Sequence, residues 1–351
     1  MSTDRTDLQP RDLQSRQTRE TATRTKAAPR APSLTAVFPS GVVASLTEVE
    51  ARISRQGESR DARLAEWSKN ALAAGGKRIR PLLLLTAFEA CGGDTMGDKT
   101  RSDAVDSAVA LELVHTASLV HDDIMDEAKE RRGHASTYAA HGRDGAILVG
   151  DYLFTQAFAL AASLPKEAMG MTADACRRLC EGQMREQALL AAGTPDRDAY
   201  LSVIRDKTAA LLAAGCGIGA TMARATPEMV QALYRYGELI GHAFQVLDDL
   251  LDVAGDPAWT GKPAGTDYSA GTLTSPYLNY LERGGQLPPR RDMREFPSVR
   301  ARLFESGAVA ASQLEASGYT QAALLELQRL PPTPARQSLE RLAEMLMERA
   351  A

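Results

Sequence analysis

Cysteine is scarce. Cys91, Cys176, Cys180 and Cys216 are the four in 351 residues, and no two stand in Cys-x-x-Cys spacing. Cys176 and Cys180 could share a helix face, but free cysteine usually buries as a small apolar group, so a disulfide framework and a thiolate metal site both drop out. A reducing cytoplasm is the simplest setting. Also missing is any run of ~18 apolar residues without charge, which excludes a spanning helix. The N-terminus has no apolar segment of the secretory kind, and Asp4, Asp7 and Asp12 argue against a transit peptide. Neither sign of charge dominates: 41 basic side chains stand against 45 acidic ones, a net charge of −4. Nothing global therefore points to nucleic acid, and any anion must be held by local basic clusters. Runs of alternating strand residues are absent too, and Leu and Ala prevail over β-branched and aromatic residues, which favours helices.

Residues 1–34 lack apolar periodicity and read as a disordered tail. Seven Arg and Lys against four acids leave it slightly basic, enough for weak contact with an anionic membrane surface. Residues 35–351 read as one all-α domain. Helical spacing places helices at 45–56, 60–73, 81–91, 103–126, 135–140, 144–163, 166–191, 196–222, 227–254, 274–283, 298–316, 318–329 and 334–350. Short Gly- or Pro-containing breaks imply antiparallel neighbours in a bundle. Residues 284–297, with Pro288 and Pro289, read as a surface loop.

Two acidic clusters carry the chemistry. In Asp122-Asp123-Ile124-Met125-Asp126, Asp122 and Asp126 are four apart and share a helix face, where their charges repel unless a cation lies between. A hard divalent ion fits, because Mg²⁺ takes one or two carboxylates and completes its shell with water and phosphate oxygens. Arg131, Arg132 and Gly133 follow within about two turns. Asp248-Asp249-Leu250-Leu251-Asp252 repeats the acid-acid-apolar-apolar-acid spacing after Gly241 to Leu247. One such cluster is commonly a solvated helix end, whereas two point to facing metal sites. Gly75-Gly76-Lys77-Arg78-Ile79-Arg80-Pro81 opens an apolar helix with three cations in four residues, more than folding requires, and helix amides and guanidinium both favour phosphate. A Gly/Pro loop, Gly261-Lys262-Pro263-Ala264-Gly265-Thr266-Asp267, adds a further cation.

These motifs, with Gly150-Asp151-Tyr152-Leu153 and Lys207-Thr208 between them, resemble the all-trans isoprenyl (polyprenyl) diphosphate synthase family in content and order, over about residues 45–350. The resemblance implies an all-α bundle around a deep central cavity, usually a homodimer, joining isopentenyl diphosphate to an allylic diphosphate with release of pyrophosphate. It implies Mg²⁺, three ions in the substrate complex, held by Asp122, Asp126 and Asp248, with Asp249 and Asp252 completing the second motif and Asp123 close by. Arg131, Lys207 and Lys262 would meet the allylic diphosphate; Lys77, Arg80, His115 and Arg132 would form the isopentenyl diphosphate site. Thr208 and Gln245 match residues whose oxygens lie near the allylic carbon as it becomes a cation. Thr272, in Gly271-Thr272-Leu273-Thr274-Ser275-Pro276, stands where many members carry another lysine, and Tyr268-Ser269-Ala270 replaces a Leu-Arg-Glu-like segment.

Product length follows from helix geometry, since each turn rises ~5.4 Å, close to one isoprene unit. Below Asp122 stand Ala117 and Ser118, then Val114 and Leu111, none aromatic. That predicts a product of C20 or longer, with C30–C50 favoured; Phe154 and Phe158 on the following helix are candidate cavity floors. A class I terpene cyclase also uses an aspartate-rich helix, but its Asn/Asp–Ser/Thr–Glu constellation is absent. A non-catalytic subunit of a heteromeric synthase should have lost carboxylates, and none is lost here.

Overall fold

The computed structural model describes residues 37–255 and 264–348; the 1–34 tail and Lys262 lie outside them. The chain is all-α. Helices α1 (Ser40–Arg55), α2 (Ala62–Ala73), α3 (Ile79–Ala90) and α4 (Asp98–Met125) are followed by a minimal hairpin, β1 (Glu130–Arg131) and β2 (His134–Ala135). Then come α5 (Thr137–Ala161), α6 (Lys166–Ala192), α7 (Arg197–Val203), a π-helical segment Ile204–Ala209, α8 (Ala210–Met222) and α9 (Pro227–Ala254). The chain closes with α10 (Thr266–Ala270), α11 (Ser275–Glu282), α12 (Phe296–Glu305), α13 (Ala308–Leu327) and α14 (Pro334–Glu348).

Local signals explain most helix starts. Asp61 accepts from the amides of Arg63 (2.9 Å) and Leu64 (3.1 Å), and Ser136, Asp196 and Thr226 cap α5, α7 and α9 in the same way. Pro227 sits in the first turn of α9, where a missing N–H costs nothing. Residues 210–220 of α8 are all buried, so this small-residue helix forms the middle of the bundle, packed on α3, α6 and α9. Around it, α4 lies along α5, and α9 along α13.

Several expected boundaries move. The expected break at 141–143 is a kink within α5 at Gly142 (φ 74°). The last long pair breaks at Gly307 (φ 74°) rather than near Gly318, which remains helical and exposed. One glycine inside a helix costs only about 1 kcal/mol, whereas the left-handed turn at 307 requires one. The hairpin, the π-helical segment and α10 were not expected.

Candidate active site

The first aspartate motif ends α4, with Asp126 at its C-cap. Asp123 is buried and accepts two hydrogen bonds from Arg131, from Nε at 3.0 Å and Nη2 at 2.5 Å. Its part is to hold an arginine. The hairpin makes that possible: Glu130 pairs with Ala135 and Arg131 with His134, leaving Arg132 (φ 54°) and Gly133 (φ 78°) as a two-residue turn. Positive φ at both central residues is what a type I′ turn demands. Asp122 is pushed up to about 6, chiefly by burial and then by Asp126 and Glu186, against the pull of Lys207 and Arg131. A cation would relieve that. Among the described residues no three His, Cys, Asp or Glu side chains converge on one point. Mg²⁺ with a diphosphate needs only one or two carboxylates, and Asp122 and Asp126, one turn apart at the end of α4, are the pair that fits it.

A second cluster lies at the entrance of α3. Arg78, one of the three cations at this entrance, is structural: left-handed (φ 48°), buried, and paired to Glu50 (Nε–Oε1 2.7 Å) and Glu112 (Nη1–Oε1 2.9 Å). Lys77 is exposed on the loop before α3. Arg132 lies against it, since a side chain at Gly76 would begin 2.9 Å from Arg132 Nη1. Arg80 is partly buried, and its Nε is buried without a hydrogen-bond partner. His115 is held well below the ordinary imidazole value, first by burial and then by Arg80 and Arg132, so it is neutral at pH 7. A cationic recess with an unsatisfied guanidinium nitrogen is suited to a phosphate.

The second aspartate motif lies at the end of α9. Asp248 is exposed. Asp249 is buried and accepts from Gln245 Nε2 (2.9 Å) and the Tyr200 hydroxyl, while Thr208 donates to Gln245 Oε1 (2.9 Å). Burial pushes Asp249 up to about 7, with Asp248 adding to it and the Tyr200 and Gln245 bonds opposing. Asp252 accepts from the amides of Thr266 (2.9 Å) and Asp267 (3.1 Å) and so fastens α10. Asp249 and Asp252, expected as metal ligands, thus already have protein partners on both oxygens. Asp248 is the one turned to solvent.

Between α6, α7, the π-helical segment and α9 is a cavity of about 230 Å³ lined by Glu186, Lys207, Thr208, Gln245, Asp249 and Thr272 among others. Lys207 pairs with Glu186 there. Glu186, Tyr200 and Asp267 were missed by sequence reasoning. Tyr200 stands seven residues before Lys207, two helical turns, which is the one periodic signal that could have found it. Thr272 lines this cavity, so a lysine at that position would have added a positive charge to its wall. Leu111, Val114, Ala117 and Ser118 are all buried on α4. Phe154 rests against His121 (centroids 5.8 Å) and Phe158 (6.3 Å), but Phe158 is 46% exposed. Phe158 is therefore not a cavity floor within this chain: it lies on the outer face of α5 with Ile147 and Leu148.

Comparison with known proteins agrees with this geometry. Residues 61–291 match the polyprenyl synthetase family. A short chain isoprenyl diphosphate synthase of Methanothermobacter thermautotrophicus is 36% identical over 299 residues, covering 82% of this chain and 90% of that protein. A nonaprenyl diphosphate synthase of Mycobacterium tuberculosis is 34% identical over 324 residues, covering 90% and 95%. Among solved structures, a polyprenyl synthase from Caulobacter crescentus complexed with calcium and isoprenyl diphosphate superposes with a TM-score of 0.80 at 31% identity, covering 91% of this chain and 98% of that one. The chain belongs to the polyprenyl synthetase family, the all-trans isoprenyl diphosphate synthases, and is a trans-prenyltransferase that elongates isoprenyl diphosphates.

Proposed function

We propose that the chain condenses isopentenyl diphosphate with an allylic diphosphate to an all-trans product of C20 or longer, C30–C50 favoured. One observation carries the two-substrate reading: the buried, unpartnered Nε of Arg80 beside neutral His115 and Arg132, a second anion site next to the first aspartate motif. Asp122, Asp126 and Asp248 hold Mg²⁺, three ions in the substrate complex. When bound, the ions offset the negative charge that grows on pyrophosphate as the allylic C–O bond breaks.

The chain's own groups do the rest. Arg131, oriented by Asp123, and Lys207 and Lys262 contact the allylic diphosphate; Lys77, Arg80, His115 and Arg132 hold isopentenyl diphosphate. Thr208 and Gln245, fixed by Asp249, present oxygens toward the electron-poor allylic carbon. A new carbon–carbon bond forms, pyrophosphate leaves and a proton is lost. Buried Ala117, Ser118, Val114 and Leu111 put no aromatic ring below the motif and exclude water from the cation. Their small or aliphatic side chains support a long product; the relatives' names range from geranylgeranyl to nonaprenyl.

Residues 35–351 act as one catalytic domain in the cytoplasm. Exposed Ile147, Leu148, Phe158 and Met184 on α5 and α6 support a homodimer. Among the described residues no helix is long and apolar enough to cross a membrane. Incubation with farnesyl or geranylgeranyl diphosphate, isopentenyl diphosphate and Mg²⁺, followed by mass analysis, tests the reading. Elongated linear diphosphates are expected, and failure to extend any primer overturns it.

A further inference from the structure

One face of α6 reads the π-helical segment residue by residue. Arg178, Gly182, Arg185 and Glu186 are spaced at i, i+4, i+7 and i+8 and so share that face. A side chain at Gly182 would begin 2.6 Å from the Lys207 amide nitrogen, so the two backbones touch where Asp206 meets Lys207. On one side of this crossing the acid is gripped. Asp206, buried to 4% exposure, accepts from Arg178 Nε (2.9 Å), Arg205 Nε (3.4 Å) and Arg185 Nη1. On the other, Glu186 takes Lys207.

Arg178 reaches further. Its Nη1 donates to the Tyr234 hydroxyl (2.7 Å), and Nη2 to Glu238 Oε1 (3.2 Å) and to the backbone carbonyl of Arg205 (3.0 Å). One guanidinium thus ties α6 and α9 to the backbone of the π-helical turn. Burial alone would raise Asp206, but the Arg178 and Arg205 bonds outweigh it and hold the carboxyl below its ordinary value, so it is ionised throughout the neutral range. A π-helical turn is rare and commonly marks a functional site. Here Asp206 is held from α6 by Arg178 and Arg185, with Arg205 beside it in the segment adding a third contact. Arg178, Arg185 and Asp206 do not line the cavity; Lys207 and Thr208, the next two residues, do.

We infer that Arg178, Arg185 and Asp206 are positioning residues that hold the π-helical segment so that Lys207 and Thr208 face the cavity, setting affinity for the allylic diphosphate and not for isopentenyl diphosphate. This rests on Lys207 meeting the allylic diphosphate. Loss of the grip lets the turn relax toward regular α-helix, which rotates Lys207 and Thr208 away from their places.

The test compares Asp206→Asn, Lys207→Ala and the double variant, each checked for native helix content and a single cooperative unfolding transition. KM is measured for each substrate, and binding of unreactive farnesyl thiodiphosphate with Mg²⁺ is measured by calorimetry. Asp206→Asn is expected to weaken the allylic substrate and the analogue about tenfold and to leave KM for isopentenyl diphosphate within about twofold. In the Lys207→Ala background it should add little, because the two act through one group. Equal effects on both substrates, or full additivity with Lys207→Ala, would overturn the proposal. If Asp206→Asn does not fold, Arg185→Gln, which removes one of the three contacts, gives the same comparison. A wild-type chain that binds the analogue but elongates nothing sinks the synthase reading, and the calorimetry still decides the positioning role. A chain that binds no analogue overturns both.

Discussion

Arg80 and Arg78 show how similar residues two positions apart diverge. Arg78 has both acids it needs, and Arg80 has a buried nitrogen with none. Replacing Arg80 by Gln is therefore expected to raise KM for isopentenyl diphosphate about 10–100-fold, with little change for the allylic partner, as steady-state kinetics would show. Ala117 is a second residue whose smallness matters. A phenyl ring there, one turn below Asp122, would block the path proposed for the growing chain, so Ala117→Phe is expected to shorten the product by at least one isoprene unit. Unchanged product masses would refute the account of the cavity.

Among the elements, the π-helical segment sets a pH dependence. The folded value of Asp206 lies below its ordinary 3.8, so the unfolded chain takes up the proton first as acid is added. The stabilisation is full above pH 3.8 and is lost as pH falls through the folded value. Urea midpoints of wild type and Asp206→Asn should thus differ at neutral pH and converge in strong acid. Nothing in Ile204-Arg205-Asp206-Lys207-Thr208-Ala209 announces this segment, because its cause lies 28 and 21 residues away at Arg178 and Arg185. The starts of α2, α5, α7 and α9 were legible to within two residues, because the caps that fix them, Asp61, Ser136, Asp196 and Thr226, are local. Spacing alone marked both acidic clusters and the pair Asp122 and Asp126, whereas Asp248 was singled out by resemblance. That Asp123 would turn to Arg131, and Asp249 to Gln245 and Tyr200, depended on helix packing and on a hairpin whose two-residue strands are too short to show alternation.

At the scale of the molecule, the helical fold was readable in its periodicity, since ridge-forming Leu and Ala recur through most of the described chain. The outer face of α5 was not. Phe158, expected as a cavity floor, is 46% exposed, and Ile147, three turns before it on the same helix face, is 40% exposed. An apolar face of this kind is expected to close against a second copy. Leu148→Glu should then shift sedimentation from dimer to monomer, while a variant that remains dimeric would place the interface elsewhere.

The turn between β1 and β2 has a consequence for how such a molecule can change. Arg131 and Arg132 are joined by a single peptide bond, yet one is fixed to the first aspartate motif and the other lies against the loop before α3. In the function proposed above, the separation of the two substrates' charged ends is thereby written in covalent geometry, which varies far less than the packing of helices. Residues deeper along α4 are then at liberty to be exchanged, lengthening or shortening the hydrocarbon, without moving the place where its two halves meet.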